Sequence, residues 1–557
     1  MKKNKFIIIL NILLYILFFV LIVNKSLSYL DVDFGWHLKI GEEIYLKQNI
    51  PTINHYNYIF PENDNFWVDH EWLSNLLIYI IYNNFGYLAL TIFFALIFLT
   101  TIFLLNNFII KNITKTSASS IYILVTELLL IKGVFPHSGI RVQEISWLFF
   151  LLFLIIIYYF EKRSLINKKN NWKILIWIVP ILYLWSNLHA SFLLGIAILF
   201  FYLLIKIIEK FVFQLKNKLI KKISIYFNFS KILKNKDLFI FGTFSLIASL
   251  STLITPYGLK LFDFLFVYGK NTAYLKIIAE WLPPFIYPIM YWQLIYIAII
   301  ITVWITVWTS FFIIKKNNPH KNLLTPWNIS LNLLFLILVL KSRRHFPLFF
   351  IASLPTLINI LLIDFKNIAR TKETKKNNID ILLKLFIVFT IITTITSISL
   401  KISFFKNPFT AFCHNYPCQA ISFLKDNHNN YIEYNFFNSY KWGGYLIHEY
   451  PEKKLFIDGR LPQKTLKNHS YVEEYALFYS NNKNVIKEKL NEYDIKLILL
   501  SKDKPVKLNW FDKKIFNIKE ENFKKTNTLI EYLDDSYDWK KIYEDNISLI
   551  YEKTFTK

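Results

Sequence analysis

No Gly-x-Gly-x-x-Gly, no Walker-type phosphate loop and no Gly-x-Ser-x-Gly occurs in this chain. The usual cytoplasmic nucleotide-binding signatures are therefore absent. Any activated group has to arrive from a membrane or from the outer side. Cysteine is almost missing as well: Cys413 and Cys418 are the only 2 in 557 residues. With His414 they offer too few ligands for a zinc site. Negative charge is scarce, at 39 Asp and Glu against 64 Lys and Arg, a formal net charge of +25. In a soluble protein such an excess suggests nucleic acid. Here the lysines cluster in short segments between apolar runs. The positive-inside bias of membrane proteins is the simpler cause, and no nucleic-acid partner is expected.

Apolar sequence is abundant. The chain is 54% hydrophobic and 18% aromatic, with 18% charged residues. That is too apolar for a soluble protein, and several runs are long enough to span a bilayer. The N-terminal run resembles a signal peptide. It has no small-x-small cleavage site and ends at Asn24-Lys25-Ser26, so it reads as an uncleaved first helix. About eleven spans are expected, near 6–28, 86–110, 118–135, 145–161, 173–188, 191–209, 238–256, 291–314, 323–341, 346–364 and 380–402. Residues 73–83 form an extra apolar segment, expected as a surface helix leading into the second span.

Orientation follows from Lys and Arg. With the N-terminus in the cytoplasm, the inside segments are 111–117, 162–172, 210–237, 315–322 and 365–379. They carry most of the loop cations, among them Lys162, Arg163, Lys168, Lys169, Lys216, Lys218, Lys221 and Lys222. The outer segments 29–72, 136–144, 257–290 and 342–345 are much poorer, which is the expected asymmetry. An odd number of spans then puts residues 403–557 outside, on the same face as 29–72. The expected fold class is an α-helical polytopic membrane protein with a C-terminal soluble α/β domain. Its expected domains are 1–402, a transmembrane part with the outer loop 29–72, and the extracytoplasmic 403–557.

In the tail, 431–437, 454–460 and 496–500 read as strands and 484–493 as a helix. Lys541-Ile542-Tyr543 and Leu549-Ile550-Tyr551 suggest a hairpin. Cys413 and Cys418, outside and flanking Pro417, can pair in an oxidising compartment; two free thiols are the alternative.

Candidate functional residues gather at the outer ends of the spans. The 29–72 loop holds Asp31, Asp33, His37, Asp69, His70 and Glu71, with Trp36, Trp67 and Trp72 beside them. Ionisable groups next to a bilayer are costly and mark function by default. Further outer residues are His137, Arg141, Gln143 and Glu144, then His189, then Glu280-Trp281, then Arg343-Arg344-His345. Asp31 and Asp33 are candidates for a general base, and Asp-x-Asp can also hold a divalent cation. Arg343 and Arg344 suit bidentate binding of phosphate; a snorkelling pair at a helix end is the bland alternative. A lone His189 is more often a packed interhelical histidine than a catalyst.

These residues carry a resemblance. Asp31-Val32-Asp33-Phe34-Gly35-Trp36-His37-Leu38 resembles the Asp-x-Asp-x-Trp-Trp-His-Leu opening of bacterial polytopic membrane glycosyltransferases of the GT-C superfamily, in their branch with an outer C-terminal domain. Gly35 stands where that motif has the first Trp. His70-Glu71-Trp72-Leu73, Trp185-Ser186-Asn187-Leu188-His189, Pro256-Tyr257-Gly258, Glu280-Trp281 and Arg343-Arg344-His345-Phe346-Pro347-Leu348 resemble later motifs. So do Asn438 to Leu446 and Phe456-Ile457-Asp458-Gly459-Arg460 in the tail. The resemblance implies an enzyme that moves a sugar from a polyprenyl-phosphate carrier to a glycan, lipid or protein acceptor outside the cytoplasm, with inversion. It implies a place in the bacterial cytoplasmic membrane, among membrane lipids. Asp33, or else Asp31, would be the base, and Arg343 and Arg344 would bind the carrier phosphate. His37, Glu71 and Arg141 would line the pocket, with Asp69, His70, His189, Glu280 and His345 as further substrate-binding candidates. Some superfamily members use a divalent cation such as Mg or Mn and others do not, and Asp-x-Asp leaves both open.

Two other classes compete. A polysaccharide polymerase or ligase also uses lipid-linked sugars and basic residues, but carries its large loop between late spans. A non-catalytic transport or assembly protein is the third. A transporter places polar groups near mid-membrane on broken helices, whereas most of these sit at span ends.

Overall fold

The computed structural model describes residues 2–27, 29–60, 65–114, 127, 131–166, 170–214, 233–270, 273–313, 325–371, 412–461, 464–466, 469–502, 508–520 and 527–554. The chain divides into two compact units. The first comprises Met1–Ser28, Thr91–Gly258 and Glu280–Lys401; the second comprises Tyr29–Leu90, Leu259–Ala279 and Ile402–Lys557. Residues 29–90 and 259–279, expected with the membrane part, belong with the tail.

Among the described residues, 5 helices are long and apolar enough to cross a membrane: Ile8–Leu27, Trp72–Asn112, Gln143–Leu165, Phe192–Gln214 and Tyr291–Thr309, with Pro326–Lys341 a shorter apolar helix. The first of these shows why no aqueous surface suits it. Leu14, Phe18, Leu21 and Ile22 are buried, while Ile8, Ile9, Ile12, Leu13 and Ile16 are each more than half exposed. An apolar face that packs on nothing needs an apolar solvent. The expected span 380–402 and most of 118–135 lie outside the described residues.

Within the first unit, helix Ile178–Leu188 packs on Asn235–Ser251, and Pro326–Lys341 on Phe346–Thr371. Trp185 is wholly buried and meets the rings of Phe149 and Phe153 on helix Gln143–Leu165. The helix at Pro326 starts where its sequence predicts. Thr325 accepts a bond from the Asn328 amide at 3.2 Å, and Pro326 sits at the first helical position, where its missing N–H costs nothing.

The second unit holds a mixed sheet in the order β1 (Asn435–Asn438), β4 (Ile495–Ser501), β6 (Ser548–Lys553), β5 (Trp539–Glu544), beside a small pair β2 (Thr465–Leu466) and β3 (His469–Ser470). β1 runs parallel to β4, and β6 antiparallel to both β4 and β5. Ile495, Leu497, Ile498, Leu499 and Leu500 are all buried, the unbroken apolar run of a strand covered on both faces. Cys413 and Cys418 are disulfide-bonded, with Cα atoms 5.4 Å apart.

Two sequence expectations change here. The 29–72 segment is not simply a loop, because Phe34–Lys47 is a helix. Phe34, His37, Leu38, Gly41 and Ile44 recur at helical spacing and are buried on one face. Residues 454–460 do not form a strand. Leu455 makes only single bridges to Asn57 and Phe436. The Asn438 side chain takes over the ladder's role, accepting from the amides of Phe456 at 3.0 Å and Ile457 at 3.2 Å and donating to the Ile457 carbonyl at 2.8 Å.

The helix Trp72–Ile109 is broken at Gly86, whose φ of 77° and ψ of 179° only glycine adopts without strain. The apolar stretch before it is thus a separate helical piece, as 73–83 suggested.

Candidate active site

The residues singled out in the sequence fall into two groups, one in each unit. In the second unit, the acidic loop collapses into one connected polar network. Asp31 Oδ1 accepts from the Asp33 amide at 3.0 Å, and Asp33 Oδ1 accepts from Trp36 Nε1 at 3.0 Å. The Trp36 ring lies tilted against that of His37, with centroids 3.7 Å apart. His37 Nδ1 meets Asn75 Oδ1 at 2.5 Å, and Asn75 Nδ2 donates to Asp69 Oδ2 at 2.8 Å. Since the Asn75 amide must give its N–H to the Asp69 carboxylate, its oxygen faces His37, which therefore carries its proton on Nδ1. His37 Nε2 then faces Glu71 Oε2 at 3.8 Å, and His70 Nε2 lies 3.5 Å from Glu71 Oε1.

Burial decides the electrostatics. Asp31, His37, Asp69 and Glu71 are buried, while Asp33 is half-buried. Burial pushes the Asp69 carboxyl up to about 6, against the pull of His70 and the Asn75 bond. Burial lowers His37, and Glu71 and Asn75 only partly offset it. For His70 burial also acts downward, but its bond to Glu71 and the charges of Glu71 and Asp69 win and raise it. His70 stacks on Phe264 at 5.4 Å. Phe264 is also one wall of a cleft of about 450 Å³, lined further by Phe66, Val68, Lys260, Leu461 and Lys464.

The tail motifs explain how this network is held. Helix Phe34–Lys47 and helix Gly443–Glu449 touch backbone to backbone, so a Cβ at Gly35 would overlap the Gly444 carbonyl. Gly459 lies directly under the Asp33 carboxylate, and any side chain there would displace it. Arg460 next to it is buried and bidentate on Asp458 at 2.9 Å through both Nε and Nη2. Its Nη2 also reaches Asn54 at 2.9 Å and Asn57 at 3.1 Å. Its guanidinium lies between the rings of Tyr56 at 5.0 Å and Trp67 at 4.9 Å. Asp458-Gly459-Arg460 is thus a clamp on the 51–67 segment.

In the first unit, Glu280 sits between two arginines. Its Oε1 pairs with Arg141 Nη2, and its Oε2 lies 4.0 Å from Arg344 Nη1. Burial acts to raise the Glu280 carboxyl, but Arg141, Arg344 and His137 hold it down at about 2. Arg344 is held from behind by Gln143 Oε1 at 3.5 Å and lies over the Trp281 ring at 4.7 Å. His345 meets Trp281 edge-on at 6.3 Å, and burial with Arg344 lowers it to about 4. His137 is buried, with Nε2 accepting from Gln293 Nε2 at 2.9 Å.

Arg343 corrects an expectation. It was to bind phosphate beside Arg344, yet it is buried and its guanidinium is taken up by backbone. Nε donates to Leu282 O at 3.0 Å, Nη1 to Pro288 O at 2.9 Å, and Nη2 to Pro283 O at 2.7 Å and Ile286 O at 2.6 Å. It holds the 282–288 loop. His189 stands in a separate set of contacts, its Nδ1 meeting Ser191 Oγ at 2.6 Å and Ser146 Oγ at 3.0 Å.

No protein-family model matches the chain, and no curated protein does. Solved structures do. The archaeal oligosaccharyltransferase AglB from Archaeoglobus fulgidus, in complex with an inhibitory peptide and a dolichol-phosphate, aligns over 89% of this chain and 69% of its own, at a TM-score of 0.52 and 10% identity. The same organism's oligosaccharyltransferase tethered with an acceptor peptide aligns over 88% of this chain and 69% of its own, at 0.49 and 10%. The fold is GT-C-like. The GT-C-like chain thus carries several apolar helices and a small C-terminal sheet domain.

Among the described residues no three His, Cys, Asp or Glu side chains converge as ligands for a metal ion.

Sequence reading missed Asn75, which links His37 to Asp69. Its signal was a polar residue four places after Glu71 in an otherwise apolar helix, hence on the same face. Gln293, which fixes His137, left no signal beyond being polar near a span end.

Proposed function

We propose that this chain is a membrane glycosyltransferase that takes a sugar from a polyprenyl-phosphate carrier and passes it, with inversion, to an acceptor outside the cytoplasm. The observation that carries the reading is the arginine pair around one carboxylate in the first unit of a GT-C-like fold; the second unit, by itself, holds a half-buried carboxylate in a packed polar network. The oligosaccharyltransferase of similar fold was solved with a dolichol-phosphate, which supports a lipid-linked donor.

Asp33 acts as base. It is the more accessible of the two acids, and Asp31 braces its backbone. Asp33 takes the proton of the acceptor hydroxyl as that oxygen bonds to the anomeric carbon. The bond from that carbon to the phosphate oxygen breaks, and the phosphate leaves with one more negative charge. Arg344 and Arg141 answer that charge, which in a water-poor site contributes several kcal/mol. The Lys260 and Lys464 cleft takes the acceptor. The N-terminus lies in the cytoplasm and residues 403–557 outside.

Purified full-length protein incubated with labelled polyprenyl-phosphate sugars and a panel of glycan, lipid and peptide acceptors should transfer label. A panel spanning all three acceptor classes with no transfer, and no hydrolysis of the donor, would refute the reading.

A further inference from the structure

We propose that Glu280 is an exchangeable internal anion, which occupies the phosphate position between Arg141 and Arg344 in the resting protein and swings out when a phosphate group binds. This rests on the reading that these arginines take the carrier phosphate.

The geometry is that of a stand-in. Each carboxylate oxygen faces one guanidinium, as two oxygens of a bound phosphate would. Accessibility shows which partner can leave. The Arg141 side chain is 6% exposed and that of Glu280 33%, so the arginine forms the floor and the glutamate lies on the open side. Arg344 does not depend on Glu280 for its position. Gln143 and the Trp281 ring hold Arg344 from other directions. The following loop is pinned by the four carbonyl bonds of Arg343 and by the Arg343 amide on Leu282 O at 3.0 Å. Exchange therefore needs rotation of the Glu280 side chain only.

A second observation points to an oxyanion in the same cluster. Gln293 Nε2 donates both to Gly133 O at 3.1 Å and to His137 Nε2 at 2.9 Å, so the neutral His137 ring carries its proton on Nδ1. That nitrogen is buried with no hydrogen-bond partner among the described residues. A buried donor left unsatisfied in a native fold calls for a ligand or water. Burial lowers His137 to about 3, with Glu280 opposing and the arginines adding, so it stays neutral and serves as a donor without titrating.

Charge gives the exchange a use. A polyprenyl-phosphate sugar is a phosphodiester with one negative charge, and the carrier left after transfer is a monoester with up to two. Two arginines with Glu280 in place sum to one positive charge, and with Glu280 out to two. Once the donor has displaced Glu280, the two arginines hold the positive charge that matches what develops on the phosphate as the sugar leaves, and the return of Glu280 helps expel the spent carrier.

The test is binding of farnesyl phosphate to purified full-length protein, by titration calorimetry at fixed salt. Glu280→Gln keeps the shape and removes the competing charge, so it should bind about tenfold tighter. Arg344→Ala should bind more weakly. If Glu280→Gln is unchanged or weaker while Arg344→Ala still loses affinity, the stand-in role is overturned and the phosphate site stands. If neither Arg344→Ala nor Arg141→Ala alters binding, the phosphate reading itself fails. Should Glu280→Gln not fold, Glu280→Ala replaces it: with the competing charge removed it must also tighten binding, and unchanged affinity overturns the proposal.

Discussion

Asp33 and Asp31 differ in what their oxygens do. Asp31 is buried and takes the Asp33 amide, while Asp33 is half-buried over Gly459 and takes the Trp36 N–H. A base needs access to the acceptor, so Asp33→Asn should lower turnover by roughly a hundredfold or more with farnesyl-phosphate binding intact. Asp31→Asn should cost less, since an amide oxygen still accepts from the Asp33 backbone. Equal activity of the double variant and the native protein would remove the base assignment. Asp69 makes a separate statement about pH. Its carboxyl is raised from 3.8 to about 6 by burial, so the fold favours its protonated form. Its contribution to stability is full below pH about 4 and is lost as pH rises through 6. The loss is about 3 kcal/mol if the unfolded chain titrates normally. Carboxyl carbon shifts in Asp-labelled protein should show one midpoint near 6, and a midpoint near 4 would refute the claim.

Elements were legible where local pattern and tertiary partner agreed. The hairpin at 541–543 and 549–551 appears as β5 and β6, and the helix at 484–493 as Lys483–Glu492. They failed where a side chain did the backbone's work. Phe456 and Ile457 read as strand, but Asn438 supplies their hydrogen bonds from its amide. Similarly, the Arg343-Arg344 pair reads as two equal cations. Only the fold shows that the loop 282–288 turns four carbonyls toward one of them. Nothing in the sequence marks that convergence, because carbonyls are present at every residue. The asymmetry is testable. Arg343→Ala orphans four carbonyls and leaves a void, so it should cost about 3–5 kcal/mol and lower the unfolding temperature sharply. Lysine, a point charge without the planar fork, should rescue little. Arg344→Ala, at a side chain 27% exposed, should leave thermal unfolding nearly unchanged. Comparable melting of both variants would contradict the division of labour.

At the scale of the whole molecule, charge asymmetry between loops and the apolar runs made the membrane class readable, and the short motifs pointed to the GT-C-like fold. The division into units was not readable, because it depends on backbone contacts between distant glycines. Gly35 meets Gly444, and Gly459 meets Asp33, across some four hundred residues of chain. The early acidic segment therefore packs as one unit with the tail. Asn54 and Asn57, both buried, give their oxygens to Arg460, and Tyr56 and Trp67 enclose its guanidinium. Without residues 403–557 these groups lose their partners, at about 1–3 kcal/mol for each orphaned polar group, and the buried face of helix Phe34–Lys47 loses the surface that Gly443–Glu449 provides. A chain ending at 402 should insert in the membrane, since its apolar helices remain. Its 29–72 segment should then be cut rapidly by protease added from the outside, while the full chain resists. Supplying 403–557 as a separate secreted polypeptide should restore protection. Resistance of 29–72 in the shortened chain would mean that the segment folds without the tail, and the shared unit would have to be given up.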